Sequence, residues 1–408
     1  MSSSRQRRYS IPPRRGLRLG LLRALAAATL PLNRRSPTPL PEAPRFLLIR
    51  PDHIGDLLFA APAFRVLRQA LPKAHLSCMV GPWGKAVLES DPNLDELILC
   101  DFPGFSRGPK GRVLSVAKGS LLAPYRTLLR WSKQLAPLKF DAALVLRFDH
   151  WWGALLAYLA GIPCRIGYAV PECQPFLTES LSYDSRRHEV QQNLALVHQA
   201  IRLAGRQPPE DSLALDWRVP AQDQEYAAAY LEKAGFRADE GFFAIHPGAG
   251  APVKLWRPEA FGQVADALRE RYHLRCVITG GPDELDLAWS VYAHMRSDAL
   301  VVAGHTTLAQ LAALFQRSRL VIGPDCGPLH LAVAVGAPTV HLYGPADALK
   351  FGPVGDPGKH VVITSSRHCI PCNRLDYAIH ELSDHPCVLE ITPQQVLEAA
   401  RRLLALPT

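Results

Sequence analysis

The stretch RFLLIRPDHIGD, residues 45–56, compresses a strand, a turn and a helix start into one short segment. Its apolar run is too short for a helix and reads as a buried strand. Pro51 and Gly55 then break the pattern. A helical segment follows to about residue 70, with Leu57, Leu58, Ala61, Phe64 and Leu67 on its inner face. A buried strand passing directly into an amphipathic helix is the repeating half of a parallel crossover sheet.

The alternation continues outward. LSCMV (76–80), ELILC (96–100) and AALVLR (142–147) read as further strands, with helical pattern at 151–160 and 190–204. Residues 102–140 carry glycine, proline and lysine, then a helix-like stretch around Tyr125–Leu135, and read as a mobile insertion. RQPPEDSLALDWRVPAQ (206–222) reads as a linker. Beyond it, strands FFAIH (242–246), RCVITG (275–280), LVVAG (300–304), LVIG (320–323) and TVHLYG (339–344) alternate with helices. The reading is an α/β chain of two Rossmann-like, doubly wound domains facing a cleft, at 45–215 and 216–408. Ligands of such sheets sit at the carboxyl ends of the strands.

The chain has 408 residues, 48% of them hydrophobic, which fits two domains better than one. No apolar run reaches the roughly 20 residues of a membrane-spanning helix. The net charge of +9 is concentrated at one end. Residues 1–50 hold eleven arginines against the single acid Glu42, so the rest of the chain is nearly neutral. That argues against nucleic acid as a partner, since it leaves no basic excess for a folded face. Residues 1–44 form a separate basic arm ending in the proline-rich PTPLPEAP (37–44). Within the arm, LRLGLLRALAAATLPL (17–32) reads as a short amphipathic segment. It is suited to an anionic membrane surface, or it is an inert tail or a poor signal peptide. Nine scattered cysteines read as reduced thiols, not as a disulfide framework.

Four motifs carry chemistry. In RPDHIGD, Asp56 either caps the following helix or serves as a general base at the cleft, with Asp52 and His53 as the nearest substitutes. In HPGAGAPVKLWRPE (246–259), two glycines let backbone amides approach an anion and Lys254 adds a charge, or the lysine is simply solvated. In GPDCGPLH (323–330), Asp325, Gly327 and His330 stand at a strand-to-helix junction. The junction offers free amides and a helix dipole to an anion, or Asp325 only caps a helix and His330 is buried. TGGPDE (279–284) ends a strand of the same sheet, where a nucleotide's ribose can lie. Finally, Cys369, Cys372 and Cys387 form a weak metal candidate with His380 or His385, against a plain surface loop. No D-x-D pair, Walker loop, nucleophile elbow or kinase signature occurs.

In this order, RPDHIGD, HPGAG…K-x-W-x-P-E and PDCGPLHLA…GAPTVHLYGP resemble the bacterial heptosyltransferases of glycosyltransferase family 9. CRIGY (164–168), RHEVQQN (187–193), VAGHTTL (302–308) and FGPVG (351–355) extend the resemblance to about residue 405. It implies the GT-B architecture, with acceptor on the first domain and nucleotide sugar on the second. It implies inverting, metal-independent transfer of a heptose from a nucleotide-diphosphate donor, ADP-heptose first, to lipopolysaccharide core. By motif, Asp56 matches the base, Lys254 the lysine at the donor phosphates, and Asp325, Gly327, Pro328, Leu329 and His330 the donor-binding segment. Glu284 matches a ribose-contacting acid, and His53, Arg147 and His188 fall on the acceptor side. No cofactor or divalent metal is implied. The implied partners are a nucleotide sugar and a lipid-linked saccharide, at the inner face of the cytoplasmic membrane. Three alternatives remain: another nucleotide sugar in surface polysaccharide assembly, a nucleotide-sugar 2-epimerase, and a non-catalytic nucleotide-sugar-binding scaffold.

Overall fold

The computed structural model describes residue 20 and residues 39–105, 122–210, 212–237 and 240–405. The basic arm's amphipathic segment and residues 106–121 of the insertion lie outside them, apart from Gly20.

Two six-stranded, wholly parallel sheets form the frame. The first contains β1 (Arg45–Ile49), β2 (His75–Val80), β3 (Glu96–Leu99), β4 (Ala142–Val145), β5 (Cys164–Tyr168) and β6 (Glu179–Leu181). The second contains β7 (Phe242–Ile245), β8 (Arg275–Ile278), β9 (Ala299–Val301), β10 (Val321–Pro324), β11 (Thr339–Tyr343) and β12 (His360–Thr364). Their orders are β3-β2-β1-β4-β5-β6 and β9-β8-β7-β10-β11-β12, the same doubly wound arrangement twice. Each sheet therefore has one switch point, between β1 and β4 in the first and between β7 and β10 in the second. The central strands are buried on both faces, which is why they read as continuous apolar runs.

Three strands were not marked by the sequence. β5 and β6 lie at one edge of their sheet and β12 at the edge of the other, and each departs from a plain apolar run. The helices Ala221–Lys233 and Pro393–Leu404 were also unmarked, and the second packs back on β11 and β12. Part of the expected mobile insertion is ordered: Ala123–Leu135 is a helix packed on helix Trp151–Leu159.

Residues 206–210 and 212–220 of the expected linker run without regular structure between the halves, and they are packed down, with Leu215 and Val219 buried in a core that draws on both halves. Trp217 donates its indole N–H to the Val87 carbonyl of the first half at 2.8 Å. Its backbone N–H reaches the Ala334 carbonyl of the second half at 3.2 Å.

The halves meet where two helices begin. Helix Ile54–Ala70 follows β1, helix Gly327–Ala334 follows β10, and the two pack together. A Cβ on Gly327 would stand 2.8 Å from the Ile54 Cβ, and one on Gly55 would stand 3.1 Å from His330 Cδ2. Both positions thus need glycine for close approach, not for an unusual backbone angle. Gly327→Ala should lower stability by about 1–3 kcal/mol, the range for overpacking. The penalty should shrink when Ile54→Ala makes room. A melting series over the two single variants and the double variant checks this, and a fully additive double variant would contradict it.

Candidate active site

At the first switch point, the chain leaves β1 through Arg50, Pro51, Asp52 and His53. Arg50 is 2% exposed and gathers acids around itself. Its guanidinium lies 2.8 Å from Asp52, 3.3 Å from Asp56 and 3.4 Å from Glu189. It also donates to the Leu146 carbonyl at 3.0 Å and to the Asn193 side chain at 3.2 Å. Arg147, leaving β4, holds the other Asp52 oxygen and pairs with Asp149 at 2.6 Å. A buried charge requires such partners.

Asp52 and Asp56 share this cluster but differ in state. Burial pushes Asp52 up, yet the two guanidiniums outweigh it and hold its carboxyl below the usual range. That makes Asp52 a structural counter-ion and a poor substitute for the base. Asp56 is pushed up to about 6, first by burial and then by the charge of Asp52, with Glu189 adding to it and Arg50 opposing. About a third of its side chain stays open, so it is both proton-binding and reachable. It sits in the first helical turn, yet its carboxylate accepts from Arg50, and the N-cap residue His53 makes no side-chain cap. The geometry therefore does not draw on Asp56 as a cap.

His53 lies against Trp83, ring centroids 5.1 Å apart. His188 is occupied differently from the expected acceptor contact. Its Nδ1 accepts from the Val190 N–H at 3.1 Å, and its Nε2 then donates to the Gly352 carbonyl of the second half at 3.0 Å. Its ring caps a helix and bridges the halves. Lys350 makes a second bridge, 3.4 Å from Glu189 and hydrogen-bonded to the Tyr183 hydroxyl.

At the second switch point, β10 delivers Asp325 into the cleft wall, 6% exposed. Lys254 Nζ clasps one carboxylate oxygen and His330 Nε2 lies 3.5 Å from the other. Burial alone pushes Asp325 up, but Lys254 and His330 outweigh it and hold it well below the carboxylate range. The N-cap of the following helix is Cys326, in extended conformation without a side-chain cap, so Asp325 is not the cap. Lys254 is mostly buried and not a solvated lysine. Pro328 brings no N–H to the helix start, so the exposed donors expected after Gly327 are fewer than the sequence suggests. Leu329 and His330 are buried, and the His330 ring lies tilted against Phe59 of the first half, centroids 4.6 Å apart.

Glu284 ends the loop after β8. Its carboxylate accepts from the Gly281 N–H at 2.7 Å and lies 3.7 Å from His246. A side chain at Gly248 would strike that carboxylate, so this glycine keeps the HPGAG turn beside Glu284. The structure thus brings Lys254, Asp325, Gly327 and His330 together, with Glu284 on the adjoining strand end and Asp56 next to Gly55 across the cleft.

The cysteine candidate does not assemble. Cys369 and Cys372 are exposed, Cys387 is buried, and among the described residues no set of three or more His, Cys, Asp or Glu side chains is placed to hold a metal.

A family model described as glycosyltransferase family 9 (heptosyltransferase) matches residues 128–379. The chain belongs to glycosyltransferase family 9. It is 23% identical over 368 residues to lipopolysaccharide heptosyltransferase 2 of Escherichia coli K12, covering 88% of this chain and 98% of that protein. Among solved structures, a family 9 glycosyltransferase from Veillonella parvula gives a TM-score of 0.72 at 25% identity, covering 88% of this chain and 97% of that one. The Escherichia coli ADP-heptose lps heptosyltransferase II gives 0.68 at 22% identity, over 88% and 98%. This family 9 chain is therefore a glycosyltransferase enzyme with the GT-B fold of the heptosyltransferases.

Reading by residue type missed Arg50 and Glu189. Their signal was present: Arg50 closes an apolar strand, and Glu189 and Asn193 recur four apart on a helix face that is otherwise apolar.

The raised Asp56 has a consequence for stability. The folded carboxyl binds its proton more tightly than an unfolded Asp near pH 4, so its contribution is full below about pH 4. It is lost as pH rises through about 6. Asp56→Asn removes that loss. The variant should be more stable than wild type at pH 8 by about 1–3 kcal/mol, discounted for solvent exposure, and no more stable near pH 4. Denaturant melts at the two values check the sign.

Proposed function

We propose that this chain is an inverting heptosyltransferase that transfers a heptose from ADP-heptose to lipopolysaccharide core without a divalent metal. The observation that carries the reading is the pairing of a raised, reachable carboxyl, Asp56, with a cationic cradle at the facing switch point. The names of the relatives, lipopolysaccharide heptosyltransferase 2 and ADP-heptose lps heptosyltransferase II, support the donor and acceptor.

Asp56 takes the proton of the acceptor hydroxyl as that oxygen attacks the anomeric carbon from the side opposite the diphosphate. The bond to the diphosphate breaks, and the departing charge falls to Lys254 and to the helix start at Gly327. Lys254 then shares itself between Asp325 and the phosphates. Asp325 keeps the lysine in place, and His330 adds a hydrogen bond. Glu284 receives the ribose. Arg147, a third exposed, and His53 face the acceptor. The acceptor is lipid-linked, and the enzyme works from the inner face of the cytoplasmic membrane. Among the described residues no helix is long and apolar enough to cross a membrane.

Transfer with purified donor and acceptor tests the reading. Asp56→Asn should cut turnover about 10²–10⁴-fold with little change in ADP affinity. The wild-type kcat/KM should climb with pH through about 6, because the base acts only when ionised. A variant within about tenfold of wild type would remove Asp56 from the base role.

Lys254→Ala should weaken ADP binding by about 1.5–3 kcal/mol, the scale of a charge-assisted hydrogen bond. Excess EDTA should leave transfer intact. Activity lost to EDTA and restored by magnesium or manganese would overturn the metal-free mechanism.

A further inference from the structure

Helix Ala123–Leu135 belongs to no part of the site described above, and its sequence is unusual for a surface helix. Leu128, Ser132 and Leu135 form its buried side, which packs on helix Trp151–Leu159. The opposite side presents large apolar groups to solvent: Leu122 is 58% exposed, Tyr125 42% and Leu129 54%. At three- and four-residue spacing these fall on one face, one turn above another. Beside them, on the same face, lie the exposed cations Arg126, Arg130 and Lys133.

The charge is one-signed. Helix Ala123–Leu135 carries the three cations Arg126, Arg130 and Lys133 and no acid. The supporting helix Trp151–Leu159 carries no charged residue. The bordering acid Asp141 is turned to the Arg45 backbone N–H at 2.8 Å. The other bordering acid, the exposed Asp101, is one against three exposed cations on the helix, which leaves the face a cationic excess among the described residues.

We propose that the outer face of helix Ala123–Leu135 docks the enzyme onto an anionic lipid surface. A basic rim bordering exposed leucine and tyrosine fits a charged headgroup layer over hydrocarbon. A second copy is the weaker occupant, because a two-fold contact would set the same cations against each other. Nucleic acid satisfies the cations but gives Leu122 and Leu129 nothing to bury against.

The position suits the reading above, on which it does not depend. Trp152 donates its indole N–H to the Pro124 carbonyl at 3.2 Å, which fixes the helix start at the carboxyl end of the first sheet. Phe105 lies under the Arg147 guanidinium at 5.3 Å. The docking face therefore opens beside the expected acceptor side of the cleft.

Vesicle flotation of the full chain, and of the chain lacking residues 1–36, tests the proposal. Wild type should float with phosphatidylcholine vesicles containing about 30% phosphatidylglycerol at about 0.1 M salt, and detach at about 0.5 M. The triple variant Arg126→Ala, Arg130→Ala, Lys133→Ala should bind at least tenfold more weakly in both backgrounds. Tyr125→Ser with Leu129→Ser should weaken binding several-fold while leaving the melting temperature and soluble-donor hydrolysis unchanged. Binding untouched by either set, or lost only with residues 1–36, would overturn the proposal. So would concentration-dependent dimers that Leu129→Ser dissolves, or affinity for a DNA duplex without affinity for vesicles. Failure of transfer activity in the same preparations would count against the proposed function and not against docking.

Discussion

Gly55 and Gly327 stand where two helix starts press together, and the space between them leaves no room for a side chain. Each glycine follows the switch point of its own sheet, so a single close contact registers two separate doubly wound units. It also sets Gly55, the neighbour of Asp56, against His330 and Gly327 of the Asp325 segment. The bridges through His188 and Lys350 and the packing of Trp217 secure the same register from other sides. Duplicated topology alone would place two anchoring points at two strand ends. The glycine contact turns them into one cleft.

Within that cleft, electrostatics separate carboxylates that the sequence cannot tell apart. Asp52 and Asp56 are four residues apart and touch the same arginine, yet one is held ionised by two guanidiniums and the other is pushed toward neutrality. Asp325, between a lysine and a histidine, is likewise held well below the carboxylate range. The difference follows from how many cations each acid faces against the cost of burying it. Divergent tuning of neighbouring acids is what divides structural counter-ions from proton carriers.

Much of this was legible in the sequence because buried parallel strands announce themselves as short apolar runs with a motif just after them. That logic located nine of the strands, and Asp56, Lys254 and Asp325 at strand ends. It failed where the strand departs from a plain apolar run. β6 and β12 have mixed exposure, and β5 carries Arg165 and Gly167 inside the strand. At residues 212–220 the connecting stretch was legible but its packing was not: Leu215 and Val219 are buried against both halves. Long-range charge was out of reach: Arg50 and Glu189 are 139 residues apart, and only the fold reveals that they meet. The cysteine spacing suggested a ligand set that three-dimensional placement does not support.

The central claim is that the fold raises the proton affinity of one particular acid facing the cleft. Carbon-13 NMR of the Asp carboxyls, assigned by comparison with Asp56→Asn, measures it without substrate or turnover. The account predicts that the Asp56 carboxyl titrates with a midpoint near 6. A midpoint near 4 or below, the ordinary aspartate range, would contradict it.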